Sequence, residues 1–223
     1  MINNVTLIDA VNTVLESIGE RRVTSFNSPV ARKASQAVQE ALVDISTSHD
    51  WDWLKETTLA ISWLQDTAYI GDVQKVYSVS IGDTTIGSRI LPWVDKFTYD
   101  ARPIVPCIET EFYPYSSYYT QPKYGYISVN PYPITSLQQS YYRFSVLKDI
   151  IPPETVLDKF PLPVRFMPLV YYRAGHSMAM NHLDDADSAQ MFARQYDILL
   201  TRLRDRERDI PQASANMFRY RRY

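Results

Sequence analysis

Leu7, Val11, Val14, Leu15 and Ile18 recur at a spacing that only a helix turns to one side. The same period returns near the far end of the chain in Ala189, Phe192, Ala193, Tyr196, Leu199, Leu200 and Leu203. Helices at both ends must therefore bracket whatever lies between. Thr6 followed by Asp9 reads as a capping box in which aspartate replaces the usual Glu or Gln, and Gly19 supplies the left-handed residue that stops the first helix. Ser28 caps and Pro29 opens a second helix, whose small apolar face of Ala34, Ala37, Val38, Ala41 and Ile45 lets a partner helix approach closely. That helix runs out near His49, and Trp51 and Trp53 follow.

Helix returns after the Pro152-Pro153 break. Pro163 and Pro168 are too close for an undisturbed helix between them, so Pro168 either opens a helix in its first turn or kinks it, and opening fits better. Leu169, Ala174, Ser177 and Met178, with Tyr171 and Tyr172, carry this helix to about His182. Asp184, Asp185 and Asp187 crowd the first turn of the last helix, and Arg202, Arg204, Arg206 and Arg208 crowd its end, the charge order that the helix dipole prefers. Pro211 stops it. Each terminal helix pair has an apolar stripe too narrow to be a core alone, so the two pairs are expected to join in a four-helix bundle.

The middle of the chain changes character. Of the 17 tyrosines and 14 prolines, 14 and 12 fall between Trp63 and Tyr172, a composition of short strands, edges and long loops. Alternation predicts a strand over 57–64, with Leu59, Ile61 and Trp63 on one side, and another over 73–81. Gly82-Asp83 ahead of Thr84-Thr85-Ile86 reads as a tight hairpin. Further strands are expected over 104–112, 124–129 and 138–146, with the stretch from Tyr113 to Pro122 as turn and loop. The expected fold is thus α+β, with a bundle made of residues 1–55 and 156–210, a β-rich insert over 56–155, and an extended tail over 211–223.

Function classes narrow by exclusion. With 23 basic and 25 acidic residues the formal net charge is -2, so any basic patch for nucleic acid must be local. No apolar run is long enough to span a membrane and no secretory leader is recognisable, which points to cytosolic synthesis. Cys107 is the only cysteine, so it cannot form an intrachain disulfide, and in a strand-like stretch without a neighbouring base it reads as a buried thiol. His176 and His182 are six apart, not the three or four that set two metal ligands on one helix face. Glu109 and Glu111 would project from one strand face as a pair of carboxylates able to act on a glycosidic bond, but no sugar-stacking cleft accompanies them. No phosphate loop or nucleophile motif is present, and neither a metal nor a cofactor is expected.

Two features exceed what a compact monomer needs. Tyr113, Tyr115, Tyr118, Tyr119, Tyr124 and Tyr126 are expected to sit on an exposed loop, and tyrosine serves interfaces at little entropic cost. Beyond Pro211 the chain carries Met217, Phe218, Arg219, Tyr220, Arg221, Arg222 and Tyr223, a basic aromatic segment suited to a protein partner or to single-stranded nucleic acid. The near-neutral chain favours the protein.

The string Ala10-Val11-Asn12-Thr13-Val14-Leu15-Glu16-Ser17-Ile18-Gly19-Glu20, then Val23, then a second helix closing on Trp51 and Trp53, resembles the tail tubular protein A family of short-tailed, T7-like bacteriophages, the head-to-tail adaptors or gatekeepers. The likeness is close over the first quarter, fits by pattern in the last third and is not detectable in the middle. It implies a structural virion protein: a dodecameric ring beneath the portal, joined to the tail nozzle (tail tubular protein B), helping to hold tail fibres and letting genomic DNA pass. On that resemblance Phe218, Tyr220, Arg221 and Tyr223 would dock on the portal or the next subunit, and the loop from Tyr113 to Tyr126 would face nozzle or fibres. Connector proteins of long-tailed phages share a similar helical core, which leaves the tail type open.

Overall fold

The computed structural model describes residues 4–83, 87–106 and 118–208. In chain order its helices and strands are α1 (Leu7–Ser17), α2 (Pro29–Thr47), β1 (Lys55–Thr58), β2 (Ser62–Leu64), β3 (Thr67–Tyr69), β4 (Val73–Asp83), β5 (Gly87–Ile90) and α3 (Lys96–Asp100). There follow β6 (Tyr118–Lys123), β7 (Tyr126–Asn130), α4 (Ser136–Gln139), β8 (Tyr142–Lys148), α5 (Met167–Met178) and α6 (Ala186–Arg208). The chain divides into two compact units, one of Met1–Asp52 with Ile150–Tyr223 and the other of Trp53–Asp149.

In the helical unit the caps form where the sequence places them. Asp9 N–H donates to Thr6 Oγ1 at 3.3 Å while Asp9 Oδ2 receives Thr6 N–H at 3.1 Å, and Ala31 N–H donates to Ser28 Oγ at 3.1 Å. Gly19, at φ +79°, turns the chain out of α1. The loop to α2 is then pinned by Asn12, only 7% exposed, whose side-chain amide both donates to Val23 O at 3.0 Å and accepts from Val23 N–H at 2.7 Å. Thr6→Ala and Ser28→Ala are each expected to cost about 1 kcal/mol, read as a fall in the urea midpoint at unchanged slope.

Pro168 opens α5 in its first turn, after a 3₁₀ turn over Val164–Phe166, so the opening reading is the correct one. α5 is the helix the others share, packing against α1, α2 and α6. Gly175 lets α6 close in, because a Cβ there would lie 3.1–3.2 Å from the Phe192 ring. Two details differ from the sequence reading. α5 passes into a π turn over Ala179–Leu183 and stops only at Asp184, whose φ of +54° leaves the helix. α6 therefore starts at Ala186; Asp185 caps it by accepting from Ser188 N–H at 3.1 Å, and of the three aspartates only Asp187 lies in its first turn.

The other unit consists of two four-stranded antiparallel sheets, ordered β1-β8-β4-β5 and β2-β3-β7-β6. They share one core, to which the first sheet gives Val79, Tyr142 and Phe144 and the second Ala68, Ile127 and Val129. The single strand expected over 57–64 is in fact two, β1 and β2, in different sheets, and Leu59 and Ile61 at the crossing are exposed while Trp63 packs on the core. Alternation persists through a sheet-to-sheet crossing, so it could not reveal the break. The hairpin after 73–81 exists, but β4 continues through Gly82 and Asp83 and its partner begins at Gly87; residues 84–86 lie outside the described residues. The strand expected over 138–146 starts at Tyr142, because Thr135 and Gln138 form a capping box for α4 instead. Of the strand expected over 104–112, the described part is not a strand, and Pro106 makes one isolated bridge to Tyr132.

Candidate functional site

The predicted tyrosine loop is corrected where the structure describes it. Residues 118–123 form strand β6 and pair with β7, so Tyr118 and Tyr119 are 7% and 5% exposed instead of displayed. Pro122 had argued for a loop. It is tolerated because β6 is an edge strand and pairing skips from Thr120 to Lys123. Tyr119 enters the core between the sheets, and Tyr118 faces the opposite way, its hydroxyl accepting from Asn130 Nδ2 at 2.6 Å. Tyr124 remains exposed. Its hydroxyl donates to Asp149 Oδ2 at 2.6 Å, and partial burial together with that carboxylate pushes the phenol up to about 12. Tyr126 is half-buried, with the Lys123 ammonium 3.9 Å above its ring centre. Tyr113, Tyr115, Cys107, Glu109 and Glu111 lie outside the described residues, as do Met217, Phe218, Arg219, Tyr220, Arg221, Arg222 and Tyr223.

What covers the outer face of the second sheet is α3 and the segment after it, which the sequence reading missed. Asp95 caps α3 by accepting from Thr98 N–H at 2.9 Å. Tyr99 then donates to Asp66 Oδ2 at 2.9 Å and sets its ring edge against Tyr118, 5.6 Å between centres. Burial raises the Tyr99 phenol far above its ordinary value, with the Asp66 hydrogen bond adding to it. Arg102 lies 4.7 Å over the Tyr118 ring, and Asn130 Nδ2 also donates to Pro103 O at 2.8 Å. Beside this cover is a cavity of about 400 Å³ whose lining includes Leu64, Lys96, Asp100, Ile104, Lys123 and Tyr126. Its charged groups are occupied: Asp66 by Tyr99, and Asp100 by Lys96 at 2.8 Å. Two lining hydroxyls, Thr67 and Ser128, lie 2.9 Å apart, and Thr67 Oγ1 also donates to Asp66 Oδ1 at 3.3 Å.

In the helical unit the polar network gathers at the end of α6. Trp51 is fully buried, its indole N–H donating to Ile45 O at 2.6 Å and its ring meeting His49 and Phe166 edge to face at 4.8 and 5.0 Å. Arg204 donates to Ser48 O at 2.6 Å, closing α6 on the last turn of α2. Glu207, with a side chain 5% exposed, accepts from Asp52 N–H at 3.1 Å and lies 3.4 Å from Arg165 and 3.9 Å from His49. Desolvation raises the Glu207 carboxyl above its ordinary value, the Asp52 N–H working against it. A raised carboxyl binds protons more readily folded than unfolded, so its contribution is greatest at low pH and fades as pH climbs through the folded value. Glu207→Gln is accordingly expected to flatten the stability profile just above pH 4.5, checked by urea midpoints across pH 4–7.

The histidines are spoken for within the fold: His176 Nδ1 is 3.0 Å from Ala189 O and His182 Nε2 is 3.4 Å from Glu20. Among the described residues no three His, Cys, Asp or Glu groups are placed to hold a metal ion, and no helix is long and apolar enough to cross a membrane.

The geometry thus offers surfaces and an anchored helix end. Compared with known protein families, residues 5–219 match the model described as SU10 adaptor protein. The chain belongs to the SU10 adaptor protein family. A comparison with curated proteins returns no match. The family is one of phage head-to-tail adaptors, which gives this SU10-type adaptor a structural role and a place at the head-to-tail interface of the virion. The resemblance to tail tubular protein A is met at the level of the adaptor class.

Proposed function

We propose that this adaptor forms a ring, twelve subunits in the manner of tail tubular protein A, which seats under the portal, receives the tail nozzle and helps attach tail fibres while genomic DNA passes through its lumen. The observation that carries this reading is the family match over residues 5–219, which runs through both units. A ring is built from heterologous contacts, so each subunit must present two different adhesive surfaces. Exposed apolar residues supply candidates within each unit: Met191 and Ile198, seven apart along α6, and Phe97 with Leu64 and Ile104.

In this reading α1, α2, α5 and α6 form a four-helix wall, and residues 56–155 are an insert between its two helix pairs in the chain. The segment Met217–Tyr223 docks on the portal or the next subunit, aromatics anchoring and arginines pairing with acids. Tyr124 and the rim of the α3 cavity face nozzle or fibres. A conduit should not grip DNA, and a net charge of -2 leaves little of the phosphate attraction that drives nonspecific binding. The test is the mass of the purified protein alone and mixed with portal, by native mass spectrometry. A twelve-subunit species that appears with portal supports the reading; a monomer that ignores portal refutes it.

A further inference from the structure

Within the helical unit, α2 and the segment after Ile150 enclose a groove of about 410 Å³ lined by Gln39, Glu40, Val43, Asp44, Pro152 and Glu154. Its walls are fastened to each other, because Gln39 Nε2 donates to Pro153 O at 2.6 Å. Val43 and Pro152 make it apolar within, and Ile151, 73% exposed, extends that apolar surface along the chain. The rim is acidic. Arg173 already engages Asp44, at 2.7 and 2.8 Å, whereas among the described residues neither Glu40 nor Glu154 is paired with a cation. An apolar slot rimmed by two uncompensated carboxylates suits a ligand that is aromatic and cationic together.

The chain carries one segment of that chemistry: Met217–Tyr223, with Phe218, Tyr220 and Tyr223 among Arg219, Arg221 and Arg222, and no acid. Its point of departure is close to the groove. Arg204 and Glu207 hold the end of α6 against Ser48 and Asp52, and Val43 precedes Ser48 by five residues, about 7–8 Å of helix. The eight residues from 209 to 216 can span up to about 27 Å. Tethered so near, the segment meets the groove at an effective concentration in the millimolar range, enough for modest contacts to hold it.

We propose that in the unassembled subunit Met217–Tyr223 is parked in its own α2 groove, and that assembly frees it. This rests on reading the tail as an arm for a virion partner, and adds where the arm lies beforehand. A stored arm would keep free subunits from linking prematurely, since its aromatics are covered until a better surface competes.

The test uses the full-length chain with Cys107→Ser, paired cysteines Val43→Cys and Asn216→Cys, and mild oxidation at low protein concentration. The control replaces Val43→Cys with Arg202→Cys, an exposed position on α6 only six residues from its end. An intrachain disulfide forming about tenfold faster in the Val43 pair than in the control is expected, since docking raises local concentration beyond what the tether gives. Adding Glu40→Lys and Glu154→Lys should return the rate to that of the control. Equal rates in the two pairs, or a disulfide formed only between chains, would overturn the assignment. Portal binding is read separately by sedimentation: its absence alongside a fast intrachain disulfide removes the proposed partner and leaves the groove occupied by the tail.

Discussion

Trp51→Ala is expected to remove roughly 3–5 kcal/mol of stability, the range for truncating a large buried aromatic. That is several times the loss expected for either helix cap, and a large part of what a domain of this kind has. The cost is high because three things go at once. A fully buried indole leaves a cavity, two edge-to-face contacts with His49 and Phe166 are lost, and Ile45 O loses the N–H that satisfied it at 2.6 Å. Trp51→Phe separates these effects, since it keeps a ring and forfeits only the hydrogen bond and part of the volume; about half the loss is expected. Urea unfolding followed by circular dichroism reads both variants. A loss below about 1 kcal/mol for the alanine variant would mean that this cluster does not fasten the ends of the helical unit.

A chain ending at Ile210 is expected to fold, its midpoint lowered only by the loss of the parked tail's modest contacts, and yet lose about a hundredfold in affinity for portal, as removal of a hot-spot segment does. Stability should survive because the contacts that fix α6, Arg204 to Ser48 and Glu207 to Asp52, precede the cut. A full-length chain with Arg219, Arg221 and Arg222 changed to Ala should lose less affinity and most of its salt dependence, the aromatics remaining. Sedimentation of portal mixtures at two salt concentrations reads both. Wild-type affinity after truncation would assign portal contact to another surface.

The helices were legible because their signals are local. Thr6 with Asp9, Ser28 with Pro29, Gly19 and Pro168 each act within one turn, and each acts in the fold as its residue type dictates. Asn12 and Val23 stood in the string that carried the resemblance, but only the structure shows why they belong together: one amide side chain closes the loop between two helices. The strands were less legible because pairing is not local. Leu59 and Ile61 alternate like strand residues and lie at a crossing between sheets, while Tyr118 and Tyr119 sit in loop-like sequence and are buried by a partner strand and by α3. The Thr135–Gln138 capping box opens a helix of only four residues, too short for a periodic pattern beside the aromatic run that follows it. At the end of α6, the buried Trp51 stands out in the sequence as part of a Trp-x-Trp, whereas Glu207 does not, because its role depends on where α6 ends.

The pairing of β1 with β8 sets Lys55 opposite Leu147, so the chain enters and leaves the β unit along neighbouring strands. Were those roughly one hundred residues a structureless loop, joining its ends would cost on the order of 4 kcal/mol of chain entropy. Folded, that cost is met inside the β unit itself, because the β1–β8 ladder from Lys55↔Leu147 to Thr58↔Phe144 holds its first and last strands together.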